Sequence, residues 1–398
     1  MLHVLLGLAV FGLLTSTVFA GMVLAAVPGY LRERRLALAQ LEVRPGFTPP
    51  LTLLKPLHGA EPGLDAHLAT FFEQDYPEYE ILFCTRSAQD AGLEVARKVA
   101  ARYPGIPAKF LSTGGEPDYI NAKVASMERM EAEAAYEILV ISDSDVRVTP
   151  DYLRAVALAF ADEQVGAMCC PYRGVAAPQQ AGSQFGLWAR LEAVGMSVEM
   201  TSGVLAARAM EGMQFVLGPT MAFRRDVIRR MGGFKVTADY CADDFVLGNE
   251  TFKLGQKVVL SHHVIDHMVI NSTFVASMKH QVRWMKSTRF SRPKGHLGTA
   301  LTFSMPFGLL AWAVAAGMGR PWLGLALLGW AVVTRLALSF AVGRVVVGDP
   351  SWFDLLVLYP IRDLMGLCFW AASYGSSKIL WRGLTFQLLP GGKMRAVR

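Results

Sequence analysis

Ile138-Leu-Val-Ile-Ser-Asp-Ser-Asp145 is the stretch that decides the fold. Four apolar residues run directly into two carboxylates two positions apart, the pattern of a buried strand that ends at a polar loop. Comparable short apolar runs stand at Leu51–Leu54, Ile81–Cys84 and Val165–Cys169. Between them, Leu64–Phe72, Ala91–Tyr103 and Tyr152–Phe160 carry amphipathic helical patterns, and Pro150 followed by Asp151 marks a helix start. Strands spaced by helices predict βαβ units and a mainly parallel α/β sheet. Ligands of such sheets bind beyond the carboxyl ends of the strands. The residues that follow each strand are therefore the ones to weigh.

Asp143 and Asp145 follow the third of these runs. On an extended or turning backbone, two such carboxylates share a divalent cation, Mg²⁺ or Mn²⁺, which bridges protein oxygens to substrate phosphates. The alternative is a solvated turn, where Asp and Ser are common. Cys241-Ala-Asp-Asp-Phe245 holds a second acidic pair, Asp243 and Asp244. One of them suits a general base for an acceptor hydroxyl; a helix N-cap is the competing reading. In His280-Gln-Val-Arg-Trp-Met285, Arg283 suits a diphosphate and Trp284 the floor of a ring pocket, against an interfacial basic helix. Asn121 and Lys123 stand two apart at what also reads as an ordinary helix start, and Asp90 follows the second strand, within reach of a base or ribose. His263 and His267 lack a zinc spacing, though one of the histidines could complete a metal shell. Met196, Met200, Met210 and Met213 lie in the long apolar stretch Pro178 to Phe223, which reads either as core or as a groove for a greasy ligand.

The whole chain has 398 residues, 53% of them hydrophobic and only 18% charged. Those values exclude a disordered chain and an ordinary soluble enzyme. The balance of 39 basic and 33 acidic residues, +6, points to membrane contact rather than nucleic acid. Five cysteines form no CxxC pair and read as reduced core thiols. The apolar excess sits at the two ends. Leu2 to Val27 carries no Asp, Glu, Lys or Arg and is followed by Arg32, Arg34 and Arg35, which favours a retained membrane helix over a cleaved signal peptide. The basic cluster places the residues after it in the cytoplasm. Thr299–Gly319, Trp322–Val347 and Trp352–Tyr374 are further candidate segments; the last two are interrupted by Arg335, Arg344, Asp354, Pro360, Arg362 and Asp363. A basic tail favours a cytoplasmic C-terminus, so the third segment is re-entrant or interfacial, or the tail lies outside. The expected organisation is an N-terminal transmembrane helix over 1–30, a basic linker over 31–46, a cytoplasmic catalytic domain over 47–298, membrane or interfacial helices over 299–374 and a basic tail over 375–398.

The order of motifs is more specific than any one of them. Lys55-Pro-Leu-His-Gly-Ala-Glu-Pro62, Phe71-Phe-Glu-Gln-Asp-Tyr-Pro-Glu-Tyr79, Asp143-Ser-Asp145, Asp243-Asp244 and Gln281-Val-Arg-Trp284 together resemble the ceramide glucosyltransferase family, in particular its bacterial branch of hopanoid-biosynthesis-associated glycosyltransferases. The resemblance implies a GT-A fold, a nucleotide-diphospho-sugar transferase domain with a Rossmann-like sheet, flanked by transmembrane helices. It implies inverting transfer of glucose or N-acetylglucosamine from a UDP-sugar to the hydroxyl of a membrane lipid such as ceramide or a hopanoid. By the same resemblance Asp90 sits near the uracil, Asn121 and Lys123 near the donor, and Asp143 and Asp145 at the Mg²⁺ or Mn²⁺ and the diphosphate. Asp244 matches the catalytic base, with Asp243 where the family often has Glu, and Gln281, Arg283 and Trp284 match the QxxRW element. Animal members tend to carry Gly at the position of Asp145. A polyprenyl-phosphate glycosyltransferase, a processive polysaccharide synthase and a non-catalytic membrane-anchored nucleotide-binding scaffold are the alternatives; the intact second acidic pair speaks against the last. Oligomeric state is left open.

Overall fold

The apolar runs form the centre of a seven-stranded sheet in a computed structural model that describes residues 1–44, 46–177, 186–271, 273–381 and 383–397. In chain order the strands are β1 (Leu51–Pro56), β2 (Tyr79–Thr85), β3 (Ala108–Ser112), β4 (Ile138–Ser142), β5 (Val146–Arg147), β6 (Val165–Cys169), β7 (Tyr172–Ala176), β8 (Thr220–Arg224), β9 (Lys257–Leu260) and β10 (Ile265–Val269). The sheet order is β3-β2-β1-β4-β8-β6-β9. Neighbours pair in parallel on either side of β8, which alone runs antiparallel, to both β4 and β6. Every residue of β1, β2 and β4 is buried, as expected for strands covered on both faces. The helices Ala91–Ala100, Ala122–Glu133 and Tyr152–Ala159 pack on this sheet.

The chain forms two compact units. The sheet belongs to the one made of Arg32–Tyr172 and Glu211–Met268. The other gathers Met1–Leu31, Arg173–Met210 and Val269–Arg398. It holds most of the apolar helices. Among the described residues, three helices are long and apolar enough to cross a membrane: Leu2–Val43, Pro321–Val346 and Asp354–Ala372. The first runs on through the basic residues 32–35, where a linker was expected. Thr299–Gly319 does not form one spanning element; its apolar part is the 13-residue helix Met305–Gly317, which has Pro306 in its first turn and falls short of the roughly 20 residues a bilayer core requires. The basic tail is ordered as a three-stranded antiparallel sheet, β11 (Lys378–Trp381), β12 (Leu384–Leu388) and β13 (Met394–Ala396). Arg382 and Arg398 of that tail, Pro45 of the linker and Pro178–Phe185 of the methionine-rich stretch lie outside the described residues.

The charges that interrupt the apolar segments are paired within this second unit. Arg335 and Asp363 meet at 2.9 Å with almost no exposed side-chain surface, and the other carboxylate oxygen of Asp363 accepts from the backbone N–H of Ser304 and Met305. Arg362 lies 3.1 Å from Glu199 and donates to Gln281. Such pairing is the condition under which ionised groups persist in an apolar setting.

Two expectations are refined. The stretch to Phe223, which reads as core or as a groove, is in part core: Thr220–Phe223 are buried in the central strand β8 and Met196 and Met213 are buried, whereas Met200 and Met210 are exposed. Of the five cysteines, Cys84, Cys169 and Cys170 are core thiols, whereas Cys241 is half-buried and Cys368 exposed.

The helix Asp243–Lys253 approaches the segment before β8 closely at Gly248. A Cβ there would stand 2.4 Å from the backbone N of Val216 and 2.5 Å from Cα of Phe215, and backbone cannot yield as a side-chain tip does. Gly248→Ala is expected to cost about 1–3 kcal/mol. Thermal unfolding of the purified variant checks this; an unchanged melting temperature would contradict the packing.

Candidate functional site

Four segments bring polar side chains to the carboxyl end of β4. β4 ends at Ser142, so Asp143 and Asp145 follow at once, as the sequence pattern predicts. Asp143 is anchored by its backbone: its N–H donates to the Pro219 carbonyl, and its own carbonyl accepts from Lys55 Nζ at 2.6 Å. Its carboxylate takes a 2.7 Å hydrogen bond from Lys123 Nζ. Lys123 also lies 3.7 Å from Asp243 Oδ2. One buried ammonium thus joins two acidic motifs a hundred residues apart in sequence. Burial works against its charge, but Asp143 and Asp243 outweigh that and raise its pKa above the usual lysine value.

Asn121 caps the helix Ala122–Glu133 by accepting from the Lys123 N–H, while its amide donates to the Tyr240 carbonyl at 3.1 Å. The helix-start reading is therefore correct, and the cap is what aims Lys123. Asp243 and Asp244 open the helix Asp243–Lys253, where the helix dipole favours negative charge. Asp244 accepts from the Gly218 N–H at 2.9 Å and from its neighbour Phe245 N–H at 2.7 Å. Burial, and then the Asp243 charge beside it, push its pKa up to about 6. Asp243 Oδ2 is buried without a hydrogen-bond partner among the described residues.

Asp145 turns to a different neighbour. Its Oδ2 lies 3.1 Å from His267 Nε2, placed by the β5–β10 pairing of His267 with Val146. Burial would raise its pKa, but the His267 interaction prevails and holds it down at about 2. Its Oδ1 is buried with no hydrogen-bond partner among the described residues. Asp90 is committed to backbone: it caps the helix Ala91–Ala100 through Gly92 N–H and accepts from Gly59 N–H at 2.9 Å, fastening the loop after β1. That loop also supplies Glu61, which accepts from Ser144 Oγ between the two aspartates.

Lys55 is the residue the sequence reading quoted without assigning a role. It is fully buried, its Nζ lies 3.7 Å from the Phe71 ring centroid, and burial drives its pKa down to about 7 despite Asp143 and Asp145 nearby. The available signal was a lone cation near the end of the apolar strand Leu51–Pro56.

Gln281, Arg283 and Trp284 lie on the helix Phe274–Ser291 of the second unit. Gln281 is buried and accepts from Arg362 Nη2 at 3.1 Å. The Trp284 ring packs at 4.6 Å on His280, whose Nδ1 meets the buried carboxylate of Glu192. Glu192 also accepts from Ser277 and Asn271, and sequence reasoning did not single it out. Arg283 opens onto a cleft between this helix and β11.

A mixed α/β sheet with acids and lysines gathered beyond a strand end is joined here, in one chain, to helices long and apolar enough for a membrane. The chain belongs to glycosyl transferase family 21, whose model matches residues 13–394. It is 25% identical over 361 residues to ceramide glucosyltransferase 1 of Caenorhabditis elegans, covering 87% of this chain and 73% of that one. A ceramide glucosyltransferase of Komagataella phaffii is 35% identical over 101 residues, 25% of this chain and 20% of the relative. Among solved structures, a mannosyltransferase of Pyrobaculum calidifontis in complex with GDP-Man and Mn²⁺ aligns over 90% of this chain and 98% of its own, at 18% identity and a TM-score of 0.49.

Removing the bridging ammonium leaves Asp143, Asp243 and Asp244 facing one another. Lys123→Met is expected to cost about 3–5 kcal/mol at pH 7.5. The deficit is expected to shrink as pH falls towards about 6, because Lys123 lowers the Asp244 pKa and without it Asp244 takes up its proton above that value, which eases the repulsion. Melting temperatures of both proteins between pH 5 and 8 test this; a pH-independent gap would refute the charge origin.

Proposed function

We propose that this glycosyltransferase moves a sugar, glucose or N-acetylglucosamine, from a UDP-sugar to the hydroxyl of a membrane lipid such as ceramide or a hopanoid, with inversion at the anomeric carbon. The similarity to ceramide glucosyltransferases supports the donor and the acceptor class. The observation that carries the chemistry is the Asp143–Lys123–Asp243 bridge, with Asp244 oriented beside it by two backbone N–H groups. In this proposal the sheet domain is a GT-A domain on the cytoplasmic face of a multi-pass protein.

Asp244 acts as the base. It is held in the charged-acceptor geometry yet raised towards neutrality, so its proton affinity suits a hydroxyl proton at physiological pH. It takes that proton as the acceptor oxygen attacks the anomeric carbon. The bond from that carbon to the diphosphate breaks, and its electron pair leaves with UDP. Lys123 supplies positive charge for the diphosphate, and Asn121 and Asp90 hold the helix start and the β1 loop in place. Each contribution grows as negative charge develops on the leaving group.

A divalent cation fits the donor chemistry at Asp143 and Asp145, two hard carboxylates of which one oxygen, Asp145 Oδ1, is buried and unpartnered among the described residues. No group of three or more His, Cys, Asp or Glu side chains placed for a metal occurs among the described residues, so phosphate oxygens and water would complete the shell. When bound, Mg²⁺ or Mn²⁺ there neutralises the diphosphate.

Asp244→Asn is expected to lower UDP release from the UDP-sugar at least 100-fold in the presence of lipid acceptor, with UDP affinity changed less than threefold. Wild-type release is expected to fall about tenfold per pH unit below about 6, as Asp244 becomes protonated. Assays of UDP release over a panel of UDP-sugars and lipid alcohols, with products identified by mass, test the reading. Wild-type turnover in the Asn variant would remove Asp244 from the mechanism.

A further inference from the structure

The helix Phe274–Ser291 and strand β11 enclose an open cleft of about 450 Å³. Lys279, Arg283 and Lys286 line it from the helix, spaced by four and then three residues, so they share one face. Lys378 lines it from β11, and Lys286 Nζ donates to the Lys378 carbonyl at 2.8 Å, which ties the two walls together. Among the described residues, no carboxylate lines the cleft. The lining also holds apolar side chains, Met278 and Val282 from the helix and the buried Ile379 and 59% exposed Leu380 from β11.

Cations beside apolar side chains are complementary to an amphiphile with an anionic head, not to a free inorganic anion, which needs no apolar neighbour. The same compact unit contains the helices Pro321–Val346 and Asp354–Ala372, long and apolar enough for a bilayer. Val275, one helical turn before Lys279 and so on the same face, is 57% exposed, the pattern of a surface set at a headgroup layer. We infer that this cleft binds the headgroup of an anionic phospholipid, its phosphate on Lys279, Lys286 and Lys378 and its first methylenes on Ile379 and Leu380. This lipid is distinct from the sugar acceptor. Arg283, which the family resemblance alone sets at the donor, is left out of the test.

The experiment uses the full chain in detergent micelles doped with equal amounts of phosphatidylglycerol and phosphatidylcholine, with retained lipid read by native mass spectrometry. No turnover is required, so the outcome is separate from that of the glycosyltransfer proposal. Phosphatidylglycerol is expected to be retained about tenfold over phosphatidylcholine. Each lysine near the anionic surface contributes up to about fivefold, so Lys279→Gln with Lys378→Gln is expected to abolish the preference. Lys98→Gln with Lys253→Gln, exposed lysines of the sheet unit, serves as the control with the preference intact. Melting temperatures of both double variants should match wild type, since all four side chains are exposed or at the surface. Equal retention of the two lipids by wild type, an unchanged preference in Lys279→Gln with Lys378→Gln, or displacement of the phosphatidylglycerol by saturating UDP would each overturn the assignment, the last by making the cleft a nucleotide site.

Discussion

Lys123 is the constraint on which the site depends. Three carboxylates converge beyond β4 and at the start of the Asp243–Lys253 helix, and like charges at that spacing repel strongly once water is excluded. A single ammonium between Asp143 and Asp243 makes the cluster tolerable. Its position follows from backbone: Asn121 caps the helix that carries it and simultaneously reaches the Tyr240 carbonyl. Lys55 works from beneath, holding the Asp143 carbonyl from a fully buried position. The acids can therefore stay close, and burial together with the neighbouring Asp243 raises the proton affinity of Asp244.

The apolar unit obeys the same rule. Arg335 with Asp363, and Arg362 with Glu199 and Gln281, are ionic or polar groups set among helices that are otherwise apolar. An unpaired charge there would be prohibitively costly, whereas a paired one fixes the relative placement of the segments that carry it. Asp363 illustrates the gain: besides Arg335 it satisfies the backbone N–H groups of Ser304 and Met305 at the start of the Met305–Gly317 helix. Residues that look like interruptions of membrane segments in the sequence are in this sense fasteners.

Much of the fold was legible because each strand is short, continuous and bounded by turn residues. β1, β4 and β6 lie where the apolar runs stand, and the helix Leu64–Phe72 matches its predicted bounds. β8 was not legible. Thr220-Met-Ala-Phe-Arg224 sits inside a long apolar stretch that lacks a contrasting polar border, so neither strand period nor direction emerges from it. Within the site, the two acidic pairs stood out by their placement after or before apolar segments. Lys55 did not, since a lysine in a strand is unremarkable until burial is known. The Asp145–His267 contact also escaped, because the histidine is brought in by a strand pairing over 122 residues.

The amino-acid sequence alone determined the alternation of elements, the apolar ends, and which residue types were available for acid–base and cation chemistry. These are local properties, set by the period of burial and by the cost of exposing apolar side chains or burying charge. Which acids share a cation, which of them is pushed towards neutrality, and which of the expected donor residues are already spent on backbone were decided only by the tertiary structure. Those outcomes depend on distances of a few ångströms between segments a hundred residues apart, and on how much water remains around them, and neither quantity is written in any single stretch of the chain.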